Sequence, residues 1–198
     1  DDPGHALLLG LWSMATRRHA DLIDVARLNT LTDTLGLLTL AGLLFALRAY
    51  IASIVLLWKG PIEYLGWMGT SPHWAYVGLV SLAAVLPMAL AAREMGLLSR
   101  RMANLWIAAG IVFLGVATLM RESIGMMGLL VTAAVMIVLL ARRFRPAPVL
   151  LVGILAVLAF TTPRWVVMAR DAAFEMQKAE RLATHGLSHT LYLGLGFV

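Results

Sequence analysis

The chain has 198 residues, of which 61% are hydrophobic and 14% charged, with a formal net charge of +5 and a mean hydropathy of +0.85. A soluble domain carries about 25% charged residues and could not hide this much apolar surface from water, so a disordered chain, a fibre and a water-soluble globule are excluded. There is no cysteine, which removes disulfides, thiolate zinc sites and a cysteine nucleophile.

The first residues are a carboxylate pair, Asp1-Asp2, ahead of Pro3-Gly4 and an apolar run from His5 to Ala15 that stops at Arg17-Arg18. That run is too short to span a bilayer and reads as an interfacial helix, capped by one of the two acids. The opening with two acids does not fit a signal peptide. Asp21, Asp24 and Arg27 follow at three-residue spacing, which predicts one solvated helical face. Residues 1–34 are therefore expected to form an amphipathic, interfacial segment.

Leu35 to Trp58 is apolar except for Arg48. The reading preferred from sequence is one helix of about 36 Å, long enough to cross with tilt. Arg48 then lies near the bilayer centre, at roughly 2.5–3.5 kcal/mol. The alternative makes Arg48 a tight cytoplasmic turn between two helices, the second weakened by Lys59-Gly60-Pro61 and Glu63.

Four further runs predict spans: Trp74–Ala92, Met102–Met120, Ser123–Ala141 and Val149–Phe160. None contains a charge or an alternating strand pattern, so each reads as a transmembrane helix. The fold class is thus all-α and polytopic, with five or six spans within residues 35–163. Residues 164–198 form a tail whose stretch from Trp165 to Leu182 is amphipathic and suits the membrane surface.

Arginines cluster in two loops, Arg93–Arg101 and Arg142–Arg145. Two spans separate these loops, so they share a side, which the positive-inside rule makes the cytoplasm. The tail is then extracytoplasmic. Five spans put the N-terminus in the cytoplasm and six put it outside. The basic residues are scattered between apolar runs, without the clustered polar face that nucleic acid requires.

No phosphate loop, dinucleotide fingerprint, nucleophile elbow or zincin motif occurs. Arg121-Glu122 fills a turn between two strongly apolar helices, on the side where arginine is least expected. A guanidinium there offers two parallel donors to a lipid phosphate, or simply pairs with its glutamate or with headgroups. His185 and His189 stand four apart, a metal-sharing spacing on a helix, although Gly186 weakens a helix there. Proton handling, phosphate contact and plain loop histidines are the other readings. Asp1-Asp2 can serve as a base or hold a divalent cation, or only cap a helix. No other cofactor is indicated. Trp67, His73, Trp74 and Tyr76 read as an interfacial aromatic belt. Gly125 and Gly128 predict close helix packing.

Asp1-Asp2 before an amphipathic helix, the Arg121-Glu122-Ser123 turn and the tail from His185 to Gly196 together resemble polytopic bacterial glycosyltransferases of the GT-C type. The resemblance implies an inner-membrane enzyme using a polyprenyl-phosphate-linked sugar. Asp1 or Asp2 would be the acidic motif acting as base or metal ligand, and Arg121 with His189 would contact the lipid phosphate. The family's first span precedes its acidic motif; here nothing precedes Asp1, which suggests a piece of a longer protein. The family also keeps that motif outside the cytoplasm, which needs six spans. A non-enzymatic assembly subunit is the rival expectation. A transporter ranks third, because the four charge-free spans carry no charged residue at mid-depth.

Overall fold

The computed structural model describes residues 3–65, 76–142, 144 and 146–173. Within them the chain is helical, with no strand: α1 Pro3–Thr16, α2 Leu22–Ala46, α3 Tyr50–Leu65, α4 Tyr76–Glu94, α5 Arg100–Met120, α6 Glu122–Ala141, α7 Pro146–Phe160 and α8 Thr162–Ala173. The helices α4, α5 and α6 correspond to three of the charge-free runs. At 1.5 Å per residue each is about 30 Å long, the thickness of a hydrocarbon core. Four helices (α2, α4, α5, α6) are long and apolar enough to cross a membrane, and α7 with α8 makes a fifth if that bent pair is one span. Large apolar side chains including Leu105, Val112, Leu130, Ile137 and Ile154 lie exposed on the outer faces. Water would not tolerate such a surface and lipid does. The chain has the make-up of an integral membrane protein.

Local chemistry sets the helix boundaries. Asp21 caps α2 by accepting from the Asp24 N–H, while the Asp24 carboxylate accepts from the Asp21 N–H, a complete capping box. Ser99 caps α5. Pro146 opens α7 at a position where its missing N–H has no partner to lose.

Two expectations are corrected here. The continuous helix from Leu35 to Trp58 does not form. The chain breaks between Ala46 and Tyr50, with Arg48 in the left-handed region at φ 62°. α3 folds back onto α2, with the Ser53 hydroxyl donating to the Ala41 carbonyl at 2.9 Å and the Phe45 and Tyr50 rings meeting edge to face. Arg48 is thereby exposed at a turn and avoids apolar surroundings. Secondly, α2 begins at Leu22 and runs unbroken past residue 34, so the helix does not start at Leu35 as expected. The helical start at Pro3–Thr16 does agree with the short apolar run predicted there.

The helices pack by close backbone approach. Gly36 of α2 meets Gly78 of α4, and a Cβ on either would collide with the other helix's backbone. Gly42 faces Trp106 near the start of α5, so α2 and α4 run in the same direction. Gly125 and Gly128 of α6 lie against Thr118 and Ala83, as the sequence predicted. A core of Leu86, Leu90, Ile107, Leu114, Leu139 and Val152 joins α4 to α7. A second cluster, Leu79, Ala83, Ala117, Met120 and Ile124, closes the other end, with Leu8 of α1 and Leu28 of α2 packed against it. The turns at Arg48, Met95–Ser99 and Arg142 thus share one end. The α5–α6 turn and the starts of α1 and α4 share the opposite end.

Candidate functional site

Of the residues singled out from sequence, Asp1, Asp2, His185 and His189 lie outside the described residues, as do Trp67, His73 and Trp74. Arg121 is described. It is a single extended residue, φ −159° and ψ 108°, that ends α5 and begins α6. Its N–H donates to the Ala117 carbonyl, and its own carbonyl accepts from Ile124 and Gly125. The side chain is half-buried and Glu122 is exposed. Arginine at the end of one helix and glutamate at the start of the next both complement the helix dipoles. Simple capping electrostatics therefore account for the pair's order in the chain.

Two other features surround that turn. Gly4, two residues beyond Asp2, packs directly on Leu119 and Met120, so the start of α1 is held beside it. An apolar groove of about 320 Å³ runs between α5 and the α7–α8 junction, lined by Ile111, Gly115, Leu119, Ala159 and Thr162. Leu119, at one edge of the groove, is two residues from Arg121.

The buried polar groups of α2 were not picked out as a site. Asp24, expected on a solvated face, is 3% exposed. It accepts from Arg18 at 2.7 Å and is 3.5 Å from Arg27. The loop between α1 and α2 thus folds a cation over it, helped by the Ala20 N–H donating to Ser13. The hydrogen bond to Asp24 raises the Arg18 guanidinium above its ordinary value and keeps it charged. Arg17, next to it, adopts φ 55° to make the turn. The three-residue spacing suggested a wet surface because it says nothing about α1, which brings Arg18 back onto α2.

Asp33 is also 3% exposed. One carboxylate oxygen accepts the Gly78 N–H at 2.7 Å, so a residue of α2 caps the first turn of α4 from outside. The second oxygen is buried without a hydrogen-bond partner. An unsatisfied buried polar atom costs roughly 1–3 kcal/mol, more when charged. Among the described residues no basic side chain pairs with Asp33. The signal available in the sequence was weak: an acid flanked by Thr32 and Thr34, just before the apolar run that starts at Leu35.

Among the described residues no group of three or more histidine, aspartate or glutamate side chains could hold a metal ion. No family model matches the sequence, no curated protein matches it, and no solved structure matches the fold.

Proposed function

We propose that the chain belongs to a membrane protein that handles a lipid-linked sugar phosphate, with transfer of sugar from a polyprenyl-phosphate donor as its activity. The observation that carries this reading is the convergence, at one end of the helices, of the half-buried Arg121, the apolar groove beginning at Leu119 and the start of α1 at Gly4. A phosphate needs a guanidinium and a polyprenyl tail needs an apolar channel open to lipid. In this reading Arg121 holds the phosphate, with His189 as a second contact. Asp1 or Asp2 takes the proton of the acceptor hydroxyl as the hydroxyl oxygen attacks the sugar carbon and the bond to phosphate breaks; a divalent cation would be held by the same two carboxylates. The site faces outside a bacterial inner membrane. In support, arginine lies in or beside each of the three connections at the opposite end: Arg48, then Arg93, Arg100 and Arg101 at the helix ends flanking the second, then Arg142, Arg143 and Arg145. Six crossings follow if α3 and the bent α7–α8 pair each count as one, and the N-terminus and tail are then both outside.

The test is transfer from a radiolabelled polyprenyl-phosphate sugar in membranes carrying the full-length protein. Arg121→Lys keeps the charge and loses the two-pronged geometry, so it should be impaired, and Arg121→Ala more so. Each lost charged hydrogen bond is worth roughly 1.5–3 kcal/mol, hence roughly ten- to a hundredfold in turnover or donor binding. Arg164→Ala serves as the control. Wild-type rates in Arg121→Ala would reject the clamp. A second reading, a transporter, is favoured by one observation. It is that α2, a long apolar helix outside the four charge-free runs, buries an acid, Asp33.

A further inference from the structure

Asp33 lies halfway along α2, yet it is level with the first turn of α4, whose Gly78 it caps. Leu79, the next residue, packs with Met120 at the end of α5. Asp33 is therefore about one turn inside the end of the bundle where α5 and α6 join. The first part of α2 stands beyond it with α1. The carboxylate is enclosed where the helices begin to pack and is close to the side from which an ion would enter.

Its charge is only partly balanced. The α4 N-terminus supplies the equivalent of roughly half an elementary charge, and one carboxylate oxygen uses it. The other oxygen has no donor and no cation among the described residues. Among the described residues, the charged groups on neighbouring elements pair elsewhere or lie at the far end of their helices. Asp24 and Arg27 on α2 are nine and six residues away and engage each other. Arg93 and Glu94 on α4 sit at its far end. Tyr50 of α3 lies at the Arg48 turn; the side chains of Lys59 and Glu63 on α3 are outside the described residues. Asn29, one turn before Asp33 on the same face, is buried at 3% exposure and adds a further polar group to the wall.

We propose that Asp33 is the anionic half of a small-cation site between α2 and α4, its open oxygen binding a proton or Na⁺. The remaining half charge is what the cation neutralises, and the bound ion holds α2 against the start of α4. This assignment stands whichever substrate the Arg121 end handles.

The experiment is thermal unfolding of the full-length protein in detergent, wild type against Asp33→Asn. The asparagine keeps a carbonyl for the Gly78 N–H and removes the charge, so the fold is retained while the ion has nothing to bind. Na⁺ replaces choline at constant ionic strength, and the titration is repeated from pH 5 to pH 8. A bound proton makes the wild type lose stability relative to Asp33→Asn as pH rises, independent of Na⁺. Bound Na⁺ makes the wild type gain with each increase in Na⁺, and the gain is absent in Asp33→Asn. Either difference should amount to a few degrees for a tenfold change in ion concentration. If the two proteins show the same dependence on both ions, Asp33 is a helix cap alone and the site does not exist.

Discussion

At the end of the helices carrying Arg48, the side chains of Arg48, Arg100, Arg101 and Arg142 are all exposed, in turns or at the first residues of α5. At the other end Asp24 and Asp33 are each 3% exposed and Arg121 is half-buried. Charge at the first end mostly touches solvent, apart from the Arg93–Glu94 pair. At the second end these three groups are drawn out of solvent, while Asp21, Arg27 and Glu122 around them stay exposed, and each buried carboxylate must be answered by another group. Asp24 is answered by Arg18 from the neighbouring segment, whereas Asp33 is answered in part, by one N–H. Exposed arginines need no partner and carry little information beyond sidedness. Buried carboxylates are costly and persist where something binds them or function retains them.

The contrast can be broken outright by a sidedness experiment. The protein has no cysteine, so single introduced cysteines report alone. Thr16→Cys and Ser99→Cys should react with an impermeant maleimide from opposite faces of the membrane, and Arg48→Cys should follow Ser99→Cys. Arg48→Cys reacting from the Thr16 side would undo the assignment of the two ends.

The next largest effect is expected at the α2–α4 crossing. Gly78→Leu drives a side chain into the Asp33 backbone and should destabilise by roughly 3 kcal/mol or more. It would also remove the frame that holds the carboxylate. Gly10→Ala, inside α1 with nothing within 4 Å of the new Cβ, is the control and should stabilise slightly, by about 0.5–1 kcal/mol, in a melting assay. A smaller loss is expected for Asp21→Ala, which removes the cap of α2 at about 1 kcal/mol. Such a loss would sharpen the view that the α1–α2 loop is ordered by its acids. The smallest effect is at the exposed end. Arg48→Gly relieves a left-handed residue and should stabilise by roughly 0.5 kcal/mol, while the β-branched Arg48→Val should lose about 1 kcal/mol. A large change at Arg48 would mean that this end is not the undemanding one.

Much of the helical layout can be read from the sequence. Charge-free runs mark α4 to α7 closely, because in lipid the backbone must satisfy itself and length follows thickness. The break at Arg48 is less legible. A left-handed arginine carries no glycine or proline signature, and only the return packing of α3 on α2, through Ser53 and Ala41, reveals it. The candidate site is the least legible part. Asp33 meets its donor 45 residues away, and Asp24 meets Arg18 only because α1 doubles back. Periodicity along one helix sees neither. Arg121 was visible as an oddity of position, but the groove at Leu119 needed α7 and α8 to exist.

The connection between α5 and α6 is one residue long. Between two helices of about 30 Å there is no slack: Arg121 alone turns the chain around, with Thr118 and Gly125 pressed together just inside it. A segment of this kind cannot be delivered to a membrane in two independent steps, because the second helix has no tether long enough to wait. The pair would have to enter as a closed hairpin, with Arg121 and Glu122 as neighbouring opposite charges at its tip. Lengthening that turn by a few residues would uncouple the two insertions.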